Sequence, residues 1–151
     1  MGSPVQAFSA TISTIIHATE DPAKVAQAIR SLLPTETPVD EKVNKAKGHH
    51  GNEIVTMVFT IRKPKFVGDF LRSIWNGLSL LDRTGVFSSL SSRVDHSGTL
   101  FLRIDKQEAL GGKVRLQDTD PIKIAISFRT MSPKGYGFVD NIRRKLEEIQ
   151  D

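Results

Sequence analysis

The chain has no cysteine, so it carries neither a disulfide framework nor thiolate chemistry. No apolar run approaches the roughly 18 residues that a membrane span needs. With 21 basic and 17 acidic residues, the net charge of +4 permits an anionic partner and excludes little. The pI near 9.5 says the same. Nucleotide and hydrolase signatures are missing. There is no G-x-S-x-G elbow, no H-E-x-x-H and no C-x-x-C, and Gly111-Gly112-Lys113 lacks both the upstream glycine and the Ser/Thr of a P-loop. The opening Met1–Pro4 is followed by alternating residues and not by the continuous apolar core of a secretory leader. Gln6 stands where an N-myristoylation signal has Ser or Thr. A cytoplasmic location is therefore expected. Repeats, low-complexity tracts and long linkers are likewise absent.

What is present fits one α+β domain over residues 1–151. At 38% hydrophobic and 25% charged, the chain can bury a core without staples. Gln6 to Ala18 reads as a strand with Phe8, Ala10, Ile12 and Ile16 on one face. Asp21 as N-cap and Pro22 at the first helical position open a helix carrying Val25, Ile29 and Leu32. Val39 to Ala46 suits a charged edge strand, and Glu53 to Arg62 is the clearest strand, with Val55, Met57, Phe59 and Ile61 aligned. Pro64 begins a long helix with a stripe of Val67, Phe70, Leu71, Ile74, Leu78 and Leu81, predicted to break near Asp82.

Ser88–Val94 and Thr99–Asp105 read as strands joined through Asp95-His96-Ser97-Gly98. Ile122 to Phe128 is a further strand, and Val139 to Gln150 a closing helix. Half-polar strands joined by short turns predict a two-layer sandwich: a mostly antiparallel sheet with helices on one face. The other face is left for a ligand or partner.

Candidate chemistry is sparse. His49-His50 are adjacent and point apart, and no cysteine completes a metal site, so neither metal nor cofactor is expected. Asp105 with Asp118 or Asp120 offers a carboxylate pair, but Lys106 and Arg115 are close enough in sequence to neutralise it. Lys134-Gly135-Tyr136-Gly137-Phe138-Val139 matches the stacking signature of the RNA-recognition-motif fold. Its context fails, because a helix and not a strand follows, and Tyr136 is then a loop aromatic with Phe138 a staple onto the last helix.

The basic residues gather around Leu100 to Leu116, LFLRIDKQEALGGKVRL. This stretch reads as a strand, a one- or two-turn elbow stopped by Gly111-Gly112, and a return strand Lys113–Leu116. Such a path brings Arg103, Lys106, Lys113 and Arg115 together, with Lys123 on the neighbouring strand. Arg103 and Arg115 alternate with apolar residues and should share a sheet face, where guanidinium groups suit phosphates.

Leu102-Arg103-Ile104-Asp105-Lys106-Gln107, Gly112-Lys113-Val114-Arg115-Leu116 and Asp120-Pro121-Ile122-Lys123-Ile124 resemble a family of archaeal proteins predicted to be exosome-associated RNA-binding subunits. Thr19-Glu20-Asp21-Pro22 and the proline-started helix after Arg62-Lys63 agree in layout. The resemblance implies an α+β sandwich like a 5S-rRNA-binding ribosomal protein domain, and a non-catalytic role accessory to RNA processing or degradation. On that reading Arg103, Lys106, Lys113 and Arg115 contact phosphate and sugar, Arg62, Lys63 and Lys65 extend the track, and Lys123 adds to it. With few aromatics, backbone and shape recognition is expected over base readout. The expected partners are RNA and subunits of an RNA-processing complex, with no membrane. The alternative is a protein-interaction or homo-oligomerisation module, a homodimer included, that pairs through the open face or the Val39–Ala46 edge. A hydrolytic or nucleotide-binding activity using Asp105 and Lys106 is the third reading.

Overall fold

In the computed structural model, the structure describes residues 4–48, 50–131 and 137–149. Its organising element is β1 (Val5–Ile16), a 12-residue strand at the centre of a five-stranded antiparallel sheet. The sheet order is β2 (Asp40–Lys47), β3 (Glu53–Ile61), β1, β5 (Ile122–Thr130), β4 (Thr99–Ile104). Three longer helices supply the second layer: α1 (Pro22–Ser31), α2 (Pro64–Gly77) and, at the end of the chain, α6 (Phe138–Glu147). Between them come α3 (Leu80–Ser88), α4 (Leu90–Arg93) and the short α5 (Lys106–Leu110).

Alternation decides which face is dry. Ile12, Phe59, Ile61, Leu100, Leu102, Ile124 and Ile126 are all at most 1% exposed. They meet Ile29, Phe70, Ile74 and Ile142 from the helices, equally buried. Truncating Phe70 to alanine here costs about 3–5 kcal/mol. The expected α+β sandwich with a mostly antiparallel sheet is the observed architecture. Among the described residues no helix is long and apolar enough to cross a membrane.

Local signals account for the helix ends. The Asp21 carboxylate accepts from the Ala23 amide at 2.9 Å, with Pro22 inside the first turn. Ser79 caps α3 by accepting from the Asp82 amide. The long helix stops at Gly77, earlier than Asp82, because Leu78 turns extended to enter the core. A Cβ at Gly77 would lie 2.7 Å from Val114, so only glycine lets that segment pack. Leu81 consequently falls outside the stripe and is 81% exposed.

Three further local expectations are corrected. Ser88–Val94 is not a strand: it ends α3 and forms α4, and only Val94 makes a bridge, to Leu100. Leu90 and Val94 lie four apart, a spacing that serves a helix. Lys113–Leu116 is not a full strand either. Leu116 alone bridges Ile104, flanked by hydrogen bonds from the Asp105 amide to the Arg115 carbonyl and from the Gln117 amide to the Arg103 carbonyl. Phe8 leaves the core because a β-bulge between Ala7 and Ser9 shifts the register with β5. Val5 and Ala7 point inward in its place.

Candidate functional site

The uncovered face of the sheet can be built row by row from the strand register. One row crosses all five strands as Lys42, Val58, Ser13, Lys123 and Arg103. The next holds Asp40, Thr60, Thr11, Ala125 and Phe101. A third, over three strands, holds Ser9, Ser127 and Thr99, the last two hydroxyls 3.1 Å apart. Hydroxyls, two close cations and an exposed ring therefore share a surface that, among the described residues, no helix covers. Phe101 is 44% exposed although Leu100 and Leu102 beside it are sealed in the core.

Two depressions sink into this face. The larger, about 610 Å³, is lined by Ser13, Ile15, Thr56, Arg103 and Lys123, with His17, Asp118 and Asp120 at its rim. The smaller, about 230 Å³, lies between Ser89, Ser92, Arg93, Phe101, Arg103 and Asp118. The Arg93 guanidinium donates to the Ser89 hydroxyl at 2.7 Å, which orients it. Toward the far end of β5, the Arg129 guanidinium donates to the Gln6 amide oxygen at 3.0 and 2.7 Å and lies 5.7 Å above the Phe8 ring. The bulge that removed Phe8 from the core has set a ring and an arginine together on the open side.

Lys106 went elsewhere. Asp105 caps α5 by accepting from the Glu108 amide, and this turn drives the Lys106 side chain inward until it is 9% exposed. Its ammonium donates to the Ile15 carbonyl at 2.9 Å, to Glu20 at 3.2 Å and to Asp120 at 3.1 Å. Asp120 also accepts from His17 Nε2 at 2.8 Å. Partial burial pushes the Asp120 carboxyl up, but the hydrogen bonds and charges of His17 and Lys106 outweigh it and hold the group below its ordinary 3.8. His17, Glu20 and Asp120 have ligand atoms within 4.8 Å of one another, a spacing that suits a metal. They could take one only by displacing the ammonium that already neutralises them. His50 is exposed in its loop, and His49 lies outside the described residues.

The remaining sequence-predicted residues do not form one track. Lys113 and Arg115 line a separate depression with Asp82 and Glu108, at the ends of α2 and α5. Arg62 ion-pairs with Asp40 at 2.7 Å, and Lys65 lies 5.4 Å over the Phe66 ring. Their corner, with Lys63 as the N-cap of α2, is three strands away from Arg103, about 14 Å at ~4.8 Å per strand. Arg103 and Lys123 remain as the central pair, directly opposite each other on β4 and β5. Sequence reasoning did not name Phe101, Arg93, Arg129 or Phe8 as site residues. Only Phe101 had a usable signal, its odd position in the Leu100–Ile104 alternation. Tyr136 lies outside the described residues, while Phe138 is the first residue of α6 and not a staple before it, packing partly buried against the core.

Comparison with known proteins adds identity to this geometry. A family model described as RNA binding matches residues 9–128. An RNA-binding protein of Pyrococcus abyssi is 33% identical over 151 residues, covering 97% of this chain and 98% of that one. An uncharacterized protein of Methanocaldococcus jannaschii is 30% identical, covering 93% of each. A crystal structure of a protein from Archaeoglobus fulgidus superimposes with a TM-score of 0.80 at 31% identity, covering 93% of this chain and 99% of the other.

Proposed function

The chain belongs to this RNA-binding family, and we propose that it acts as a non-catalytic RNA-binding protein, accessory to RNA processing or degradation in the manner of an exosome-associated subunit. The open sheet face holds the RNA backbone, with Arg103 and Lys123 as its central phosphate contacts and Lys42 at the far end of their row. The observation that carries this reading is that row. It places cations on exposed strand positions beside Ser13, with the serine and threonine hydroxyls of the next two rows close by, and these donate to phosphate and ribose oxygens. Lys113 and Arg115, in their separate depression at the ends of α2 and α5, offer the RNA a further contact. Arg62, Lys63 and Lys65 serve a second, outlying contact, and Lys106 holds the framework. A cytoplasmic site of action goes with this role.

Fluorescence anisotropy with a mixed set of single-stranded and structured RNAs at two salt concentrations tests it. Binding should weaken steeply with salt and be lost in an Arg103→Glu/Lys123→Glu variant that retains wild-type circular dichroism. Salt-insensitive binding, or full binding by the variant, would refute the phosphate contacts.

A second reading has its own observation. Every residue of β2 is exposed along a free sheet edge, with Val43 53% exposed. Antiparallel pairing with a second copy centred on Val43 would set Glu41 opposite Lys45 twice, a self-complementary match. Sedimentation showing a concentration-dependent dimer that Val43→Lys abolishes would favour it, and a monomer at every concentration would dismiss it.

A further inference from the structure

We propose that the open face takes single-stranded RNA and stacks unpaired bases on two platforms, Phe101 and Phe8. The inference rests on the RNA-binding reading and names the form of RNA the site accepts. Phe101 is not core overflow. Its neighbours on the strand fill the core completely, yet its own ring is left 44% exposed on an edge strand. The hollow beside it is flanked by Arg93 and Arg103 and lined by the Ser89 and Ser92 hydroxyls. A ring that shares a hollow with two arginines offers a base its π-face and the adjoining phosphates their counter-charge.

Phe8 is the second ring on this face, half-buried and with a single arginine beside it. The bulge costs β1 its regular pairing and delivers an aromatic to the solvent side. Arg129, held by two hydrogen bonds to Gln6, lies 5.7 Å from the ring centroid and supplies the cation beside this platform. The two platforms are two strands apart, about 10 Å across the sheet, and a similar distance along it. Lys123 lies on β5, between the two strands that carry them.

A flat sheet with rings standing on it cannot enter the deep, narrow major groove of an A-form duplex, and it reaches bases only where they are splayed out. Asp118, on the rim of both depressions, opposes dense phosphate packing at that point. That again favours an extended strand over a duplex, with its closely spaced double backbone.

The experiment uses fluorescein-labelled decauridine, an abasic ribose-phosphate decamer and a ten-base-pair RNA duplex. The proteins are wild type, Phe101→Leu, Phe8→Leu, the double leucine variant and Arg103→Glu, each checked for native circular dichroism. Leucine keeps apolar volume and removes only the ring. The expected result is decauridine binding at least ten-fold tighter than either comparison ligand. Each leucine substitution should weaken it about ten-fold while leaving binding of the abasic decamer unchanged. Equal binding of decauridine and abasic decamer, or no loss in the double leucine variant, overturns stacking. If Arg103→Glu still abolishes binding in that case, the RNA reading stands without it. Failure of wild type to bind any of the three overturns both.

Discussion

Replacing Lys106 with methionine separates a framework residue from an RNA contact. The substitution keeps length and apolar volume and removes an ammonium that donates to one carbonyl and two carboxylates. Breaking a buried ion pair costs about 3–5 kcal/mol, and a charge-assisted hydrogen bond is worth about 1.5–3 kcal/mol. Here Glu20 is 24% exposed and Asp120 43%, so water resolvates both carboxylates once the lysine is gone. That relief places the loss below the buried range, at about 2 kcal/mol. For a domain of this size the midpoint should fall by about 4–8 °C, at roughly 2–4 °C per kcal/mol. Urea unfolding followed by circular dichroism at neutral pH, with exposed Lys113→Met as control, reads the difference. A loss under about 0.5 kcal/mol, no larger than an ordinary surface substitution, would refute the reasoning. The folded Lys106→Met protein should bind RNA within two-fold of wild type. If it loses affinity as Arg103→Glu does, the ammonium contacts phosphate and its framework role is wrong.

Three other outcomes are expected. Gly98 has φ +88°, and a Cβ there would stand 2.5 Å from the Phe138 ring, so Gly98→Ala should destabilise by about 2–4 kcal/mol; retention of wild-type stability would show that the turn before β4 and the last helix do not pack as described. Asp120 titrates below its ordinary 3.8 in the folded protein, so its contribution is complete above that value and is lost as pH falls through the folded value. The urea midpoint should therefore drop below about pH 4, with a shallower drop in Asp120→Asn; parallel profiles would exclude this group as a source of acid sensitivity. Asp118→Asn removes a negative charge from both depressions of the open face and should tighten RNA binding about two- to five-fold, whereas weaker binding would mean that Asp118 itself holds the ligand.

Sequence made the layers legible because alternation is local. Glu53–Ile61 and Thr99–Ile104 declare their buried faces within a few residues, and Asp21-Pro22 declares a helix start. Three places resisted. Ser88–Val94 offers two apolar residues four apart in a short polar run, which fits helix or strand until α3 is seen to lead into it. The bulge at Phe8 depends on its partner strand more than 100 residues away, so parity along β1 alone assigned that ring to the core. Lys106 looked like surface charge because its acceptors on Ile15 and Glu20 are 91 and 86 residues distant. The site was legible as a pair and not as a track. Arg103 and Lys123 face each other in register, while Arg62 belongs to a corner that only the strand order separates from them.

The central position of β1 also sets a timetable for biosynthesis. β1 is made first and can pair with β3 as soon as Ile61 has emerged, but its other partner ends at Thr130. At about 5–20 residues per second, the intervening segment takes about 3–14 s to appear. Throughout that interval the nascent chain carries a long, half-apolar strand with one hydrogen-bonding edge vacant, the template on which stray strands from other chains assemble. The same order means that a chain truncated before Ile122 keeps the first helix and the first hairpin yet can never close its sheet.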